Sequence, residues 1–215
     1  MSKTLPQSLA AFAFAIISLS STLAVAHNQQ ADSGWSISGN VDHINIDHQA
    51  ANRVDVMVAE SATAIGIAGE YVDAGSLTYA IGLNYIMYND NNEFSQYVED
   101  NWSDDWDDDW DSYSYEESNA NAFMLFAEVG PTIYFGADEM SFFSVRGGVS
   151  GIFDSTRAIN YCSDCYSENI NLDGGLYGAL GIGRTLSSFD ISLQFQQYFT
   201  GDIDNSLRLK MAFNF

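Results

Sequence analysis

The last ten residues, Ser206-Leu-Arg-Leu-Lys-Met-Ala-Phe-Asn-Phe215, decide the fold class because apolar residues occupy every second position. In a β-strand, successive side chains point to opposite faces, so residues two apart share a face. In a helix, the residues that share a face are three or four apart. The stretch therefore predicts a strand with one continuous apolar face. That face carries Leu207, Leu209, Met211, Phe213 and Phe215, opposite Ser206, Arg208, Lys210, Ala212 and Asn214.

The same period recurs upstream, at about 35–46, 65–71, 77–87, 121–135, 143–153, 172–182 and 189–199. The connections are short at 73–75, 136–139 and 187–188, long at 47–60, 89–118 and 154–169, and modest at 200–205. Strands of about ten residues can cross a bilayer at a tilt. Short turns on one side and long loops on the other are typical of membrane barrels. The sequence therefore predicts an all-β fold, an eight-stranded antiparallel up-and-down transmembrane β-barrel.

A soluble β-sandwich also alternates, but two features argue against it. A sandwich gives no reason for short and long connections to alternate so regularly. Its solvent-facing rows would also carry more charge than the Ser, Asn, Gln, Gly and Tyr found here, which suit the interior of a barrel better.

The chain begins with the features of a secretory signal. Lys3 precedes an apolar run at 9–19, and Ala24-Val25-Ala26 offers a small-x-small cleavage site. The run is short for a membrane-spanning helix of about 20 residues. We therefore expect a cleaved signal peptide at 1–26, with one mature barrel domain at 27–215.

The charge balance excludes one class of function. The chain carries 7 Lys and Arg against 29 Asp and Glu, a formal net charge of −22. Nucleic-acid binding rests on basic side chains that neutralise phosphates, so no nucleic-acid partner is expected.

The final strand with its terminal Phe215 resembles the C-terminal strand of bacterial outer-membrane proteins. With the export signal and the strand count, the chain resembles the small eight-stranded OmpA-like and OmpX-like barrels, often labelled porin-family proteins. The resemblance implies residence in the bacterial outer membrane among its lipid and lipopolysaccharide. It also implies that the barrel-assembly machinery reads Phe215. No cofactor is expected, apart from the Ca²⁺ that the acidic segment 89–118 could bind.

The segment 89–118 is acidic, with twelve Asp and Glu and no Lys or Arg. Its tryptophans, Trp102, Trp106 and Trp110, recur every four residues, a spacing that fits a helix face or a strand face. Three interpretations stand: a solvated loop, a cation-binding loop that uses carboxylate oxygens suited to Ca²⁺, or a site for an extracellular protein partner. The candidate cation ligands are Asp104, Asp105, Asp107, Asp108, Asp109 and Asp111.

Charged residues also fall on the rows predicted to face the barrel interior, and the lumen of an eight-stranded barrel is just wide enough for side chains to fill. Buried charges need partners, so we expect a plug of ion pairs, with Glu128 paired to Arg146. The alternative is a gated ion path. The predicted network comprises Glu70, Glu128, Arg146, Asp173, Asp190, Arg208 and Lys210.

The two cysteines, Cys162 and Cys165, are predicted to form a disulfide that closes a short loop in an exported protein. A redox-active pair or half of a metal site is the alternative. A zinc site would need further Cys or His ligands, and the histidines lie elsewhere, at positions 27, 43 and 48.

No catalytic residue is predicted. His43 and His48 lie beside Asp42 and Asp47 and could act as bases, but no recognisable nucleophile motif accompanies them. The sequence therefore favours a non-enzymatic outer-membrane barrel with a structural or surface-interaction role. A narrow pore for small solutes or cations is the second hypothesis, and an enzyme acting on outer-leaflet lipid or peptide is the third.

Overall fold

The computed structural model describes residues 33–73, 77–90, 92–99, 113–136, 140–159, 165–186 and 189–214. One short helix, α1 (His48–Ala51), lies among these residues. In order along the chain, the strands are β1 (Gly34–Ile46), β2 (Val58–Val72), β3 (Leu77–Asp90), β4 (Ser95–Glu99), β5 (Tyr113–Glu117), β6 (Asn119–Phe135), β7 (Ser141–Ala158), β8 (Ser167–Asn169), β9 (Leu176–Leu186), β10 (Phe189–Tyr198) and β11 (Ile203–Asn214).

Eight long strands form one closed antiparallel sheet. Their order around the sheet is β1, β2, β3, β6, β7, β9, β10 and β11, and β11 pairs back onto β1. Ser36, for example, is the register partner of Glu70 on one side and of Asn214 on the other. The eight-stranded up-and-down barrel predicted from the alternating segments is therefore confirmed.

The barrel is apolar outside and mixed inside. On β3 the outward Ile81 is 60% exposed, while the adjacent inward Ala80 is 7% exposed. Leu209, Met211 and Phe213 of β11 are likewise exposed, as their parity predicted. Aromatic rings flank this apolar belt: Trp35 packs against Tyr71 at one end, and Phe123 stacks on Phe153 towards the other. Such a surface suits the hydrocarbon core of a bilayer, with aromatic side chains at the two membrane–water interfaces.

The two ends of the barrel differ, and we name them by their connections. The short-turn end carries the β2–β3, β6–β7 and β9–β10 connections. The long-loop end carries α1, the small β4–β5 hairpin and β8. In the described part of the chain, no helix is long and apolar enough to cross a membrane.

One strand begins later than predicted. β9 starts at Leu176 rather than at Leu172, and the preceding segment makes no ladder. The two glycines in that segment lie against other backbones: a Cβ on Gly174 would meet the Ser150 carbonyl oxygen at 2.4 Å, and one on Gly175 would meet that of Thr200 at 1.9 Å. Alternation alone could not distinguish this close packing from a strand.

Candidate functional site: the barrel interior and the long-loop rim

Among the residues that the structure describes, Asp42 and Arg208 form the most buried ion pair. They are register partners on β1 and β11. The Arg208 Nε donates to both Asp42 carboxylate oxygens at 3.0 Å, and Nη2 donates to Oδ2 at 2.9 Å. The side-chain amides of Asn40 and Asn84 also donate to Asp42, at 2.9 and 3.1 Å. The carboxylate is therefore well satisfied although it is removed from solvent.

Glu128 shares the same guanidinium. Its Oε2 lies 3.6 Å from Nη1 of Arg208 and accepts a hydrogen bond from the Tyr177 hydroxyl at 3.0 Å. The guanidinium also lies over the Phe126 ring, with 4.3 Å from Cζ to the ring centroid. The Arg208 guanidinium thus contacts two carboxylates and one aromatic ring. These contacts together fix the position of the guanidinium in the lumen.

A second ion pair lies closer to the short-turn end. Lys210 Nζ donates to Glu70 Oε2 at 2.9 Å, and the Ser38 hydroxyl donates to Oε1 at 2.7 Å. Both charged residues are buried. With the Arg208 cluster, this pair occupies the polar half of the lumen.

Arg146 is buried but does not pair with Glu128, so that predicted ion pair is wrong. Its Nη1 donates to the backbone oxygens of Gly130 and Pro131 at 2.6 and 2.7 Å, and Nη2 donates to Thr132 Oγ1 at 2.7 Å. Gly130 and Pro131 have no register partner on β7. Their carbonyl oxygens instead accept hydrogen bonds from the Arg146 guanidinium. Glu128 and Arg146 lie at similar distances from the turn between β6 and β7, which is why the sequence predicted that they would be close. The sequence did not indicate in which direction the Arg146 side chain extends.

Asp173 and Asp190, the two remaining acidic residues of the predicted network, lie outside the ion-pair clusters described above. Asp173 is exposed in the segment before β9, where its backbone N–H donates to Asp202 Oδ2 at 2.9 Å, so its assignment to the interior is wrong. The late start of β9 is the physical reason. Asp190 faces inward but lies half-buried at the short-turn end, where Asn214 donates to it at 3.3 Å.

The other half of the lumen is apolar, which the sequence did not indicate. We call this cluster the apolar cap. Barrel strands contribute large side chains, and the loops fold further ones inward: α1 and the residues after it supply Ala50, Ala51 and Val56. Asp47 caps α1 by accepting hydrogen bonds from the backbone of Gln49 and Ala50. The principal strand members are Ile44, Ile46, Val58, Ile86, Tyr88, Met124, Tyr177, Tyr198 and Ile203, and the segment before β9 adds Ile170 and Leu172.

Arg157 links three connections at the long-loop end. Its Nε and Nη2 donate to the two carboxylate oxygens of Asp90 at 2.5 and 2.7 Å, and Nη2 also donates to the Met57 carbonyl at 2.8 Å. Glu168 of β8 is a further partner. The end of β3, the loop after α1 and β8 are therefore held by one buried guanidinium.

Sequence reasoning placed Arg157 in a loop and missed this role. β7 continues to Ala158, and it contains a bulge: Phe123 faces Phe153, but Asn121 faces Thr156. Asp154, inside the bulge, has a φ of 50°. The extra residue exchanges the inward and outward positions of the β7 residues that follow it. Arg157 therefore points inward. A basic residue in an otherwise acidic loop region was the only available signal.

Arg53 forms a second link on the surface. It donates to both carboxylate oxygens of Asp202 at 3.2 and 3.1 Å and contacts the Asn171 carbonyl. This joins the first loop to the segment before β9 and to the β10–β11 turn. A cleft of about 650 Å³ opens beside it, lined by Arg53, Asp55, and residues 152–156 and 169–173.

The two histidines do not form a catalytic arrangement with each other. His43 faces outward on β1 and is exposed. His48 on α1 contacts Glu60, and the Glu60 hydrogen bond raises the pKa of its exposed imidazole. The Asn52 side-chain amide donates to the His48 backbone carbonyl at 2.8 Å.

Several predicted residues lie outside the described part of the chain. They are Trp102, Trp106, Trp110, the six candidate cation ligands from Asp104 to Asp111, Cys162, Phe215 and the signal segment 1–26. Their roles stay predictions. Cys165 is described, and no free cysteine occurs among the described residues. Its pairing with Cys162 remains a prediction as well.

Comparison with known proteins finds no matching family model and no matching curated protein. Comparison with solved structures does find similar chains. The neisserial surface protein A is 6% identical, with a TM-score of 0.44, over 86% of this chain and 98% of that one. The attachment invasion locus protein Ail of Yersinia pestis is 10% identical, with a TM-score of 0.45, over 87% of this chain and all of that one. At these values the likeness concerns general architecture and assigns neither a ligand nor a partner.

Proposed function

We propose that the chain is a non-enzymatic β-barrel of a bacterial outer membrane and that its lumen is closed to solutes. Its loops, which ion pairs join to one another, form a surface for extracellular partners. The observation that carries the proposal is the filling of the lumen from both halves. Ion pairs occupy one half, and the apolar cap occupies the other. An eight-stranded barrel leaves little more than this side-chain volume.

The membrane setting is supported by the exterior. Large apolar side chains such as Ile67, Ile81 and Ile182 are more exposed than many inward polar ones. In water such a belt would drive aggregation, whereas in lipid it is the stable arrangement. A closed sheet also leaves no unpaired edge in hydrocarbon. The proposed surroundings are therefore outer-membrane lipid and lipopolysaccharide, reached with the help of the barrel-assembly machinery.

The interaction role is supported by the organisation of the long-loop end. Arg157 and Arg53 join connections that are distant in sequence, and Phe94 packs edge-on against Tyr166 at 5.0 Å. Ordered loops reduce the entropy lost when a partner binds. The acidic segment 89–118 would add a negatively charged surface for cations or for a basic partner.

Conductance of the refolded barrel in a planar bilayer tests the proposal against the pore hypothesis. A closed barrel is expected to give no unitary steps in molar KCl. The comparison is the variant Tyr177→Ala/Tyr198→Ala, which removes two large rings of the cap. Its ion conductance is expected to be higher than that of the unsubstituted protein. Unitary steps from the unsubstituted protein would overturn the closed barrel and favour a narrow pore.

A further inference from the structure

The inward face of β10 carries a row of polar side chains with unused hydrogen-bonding atoms. Asp190, Ser192, Gln194 and Gln196 occupy successive inward positions, about 6.7 Å apart. The last three are at most 3% exposed. The atoms without a protein partner are Asp190 Oδ1, Ser192 Oγ, Gln194 Oε1 and Gln196 Nε2.

One atom of β7, Ser144 Oγ, faces the same region and is also buried without a protein partner. Gly181 of β9 is the register partner of both Ser144 and Gln194. A Cβ built on Gly181 would lie 2.5 Å from Ser144 Oγ and 2.8 Å from Gln194 Cγ. The side chains of β7 and β10 therefore converge over this glycine, and their unused atoms belong to one polar strip.

The neighbouring charged groups are committed to other partners. Arg208, the register partner of Gln194, binds Asp42, and Lys210, the register partner of Ser192, binds Glu70. The Ser206 hydroxyl donates to Gln196 Oε1 at 2.6 Å, which leaves Nε2 of the same amide to donate elsewhere. Buried polar groups in proteins are satisfied either by protein atoms or by internal water.

The strip begins near the short-turn end and ends at the apolar cap. Asp190 lies half-buried at the short-turn end, where the row begins. At its other end the next inward residue is Tyr198, which packs against Tyr177 with 5.0 Å between ring centroids and belongs to the apolar cap. Polar atoms therefore continue from the rim to Gln196 and stop there.

We propose that the strip between β7, β9 and β10 binds a file of ordered water molecules, which enters beside Asp190 and ends beneath Tyr198. Each water bridges unused atoms of successive residues along β10. The barrel is therefore hydrated to about its middle from the short-turn end and dry beyond it. This goes beyond the proposed function, because a lumen closed to solutes need not be dry.

Silver ion tests access to the strip, because Ag⁺ is small and binds a thiolate that water can reach. Ser192→Cys and Gln196→Cys are made with both native cysteines replaced by serine. Ala64→Cys, at an inward and fully buried position of β2 that belongs to the apolar cap, is the matched control. After exposure to Ag⁺, each barrel is unfolded and the remaining thiol is labelled with a maleimide.

The two strip variants are expected to lose their thiol at least about tenfold faster than the cap variant, since reactivity requires access to a solvated thiol. Equal, slow loss at all three positions would overturn the water file. Equal, fast loss would overturn its closed end, and the conductance measurement tests the closed barrel separately.

The unsubstituted barrel provides a measurement that does not depend on a variant folding. With ¹⁵N-labelled glutamine, the side-chain amide of Gln196 is expected to show magnetisation transfer from water despite being fully buried. The exposed Gln49 is the positive control. Transfer at Gln49 without transfer at Gln196 would overturn the proposal.

Discussion

Asp42 and Arg208 face each other across the seam where β1 meets β11, and 166 residues of sequence separate them. Their ion pair bridges the one strand pair that brings the first and last described strands together. A shift of β11 by one residue would turn Arg208 outward into lipid and leave Asp42 buried alone. The pair therefore specifies the register of closure.

Loss of Arg208 is expected to destabilise the barrel strongly. Arg208→Met leaves Asp42 and Glu128 buried without their cation, and breaking such a pair costs about 3–5 kcal/mol. Urea unfolding in lipid vesicles measures the change. The triple variant with Asp42→Asn and Glu128→Gln should recover much of the loss. No recovery would mean that packing of the guanidinium, rather than charge, dominates.

Arg157 and Arg53 should differ in their contributions. Arg157 and Asp90 have side chains 2% and 3% exposed, whereas that of Arg53 is 41% exposed. Arg157→Ala should therefore cost about 3–5 kcal/mol, and Arg53→Ala no more than about 1 kcal/mol. Hydrogen exchange at residues 53–57 and 165–170 should rise sharply only in the first variant. Equal effects would contradict the assignment of Arg157 as the principal link.

The apolar cap should behave as a packed core. Ile86→Ala and Met124→Ala remove buried side chains and should each cost about 2–5 kcal/mol. Ile81→Ala, on the lipid-facing side of the same strand as Ile86, is the control and should cost clearly less. Unfolding free energies in one lipid mixture provide the comparison. Similar values inside and outside would indicate that the cap is loosely packed.

Charge on the lipid-facing row of β11 tests the parity. Met211→Arg should cost about 2–4 kcal/mol near the bilayer midplane, and His43→Arg, beside the polar long-loop end, should cost about 0–1 kcal/mol. Folding yield and unfolding free energy in vesicles measure both. A Met211→Arg barrel as stable as the parent would place that row away from hydrocarbon.

The acidic segment should respond to divalent cations if it binds them. We expect millimolar Ca²⁺ to change Trp fluorescence and to slow proteolysis between Glu93 and Glu117. Na⁺ at matched ionic strength should do much less. Asp107→Asn/Asp108→Asn/Asp109→Asn should abolish the difference. Equal responses to both salts would reduce the effect to screening, which acts over about 8 Å at physiological ionic strength.

The sequence predicted the barrel because side-chain parity is a local property. The alternation through Ile81 and Leu83 on β3, and through Leu209 and Met211 on β11, requires only an extended backbone. Parity likewise indicated that Glu70 and Lys210 face inward.

The failures arose where the backbone departs from regular strand geometry. The bulge at Asp154 reversed the orientation of Arg157, and the close packing of Gly174 and Gly175 delayed β9. The loop residues of the cap could not be predicted, because Val56 and Leu172 reach the lumen only through tertiary folding. Local pattern carries no information on these arrangements.

The seam between β1 and β11 also has a kinetic consequence. Until β11 arrives, β1 presents an unpaired edge and an apolar outer face, which together favour aggregation. Closure requires contacts between residues nearly the whole chain apart, and such topologies fold slowly. The incomplete sheet is therefore the most vulnerable species in the life of this protein, and any factor that shields β1 during that interval would raise the yield of folded barrels.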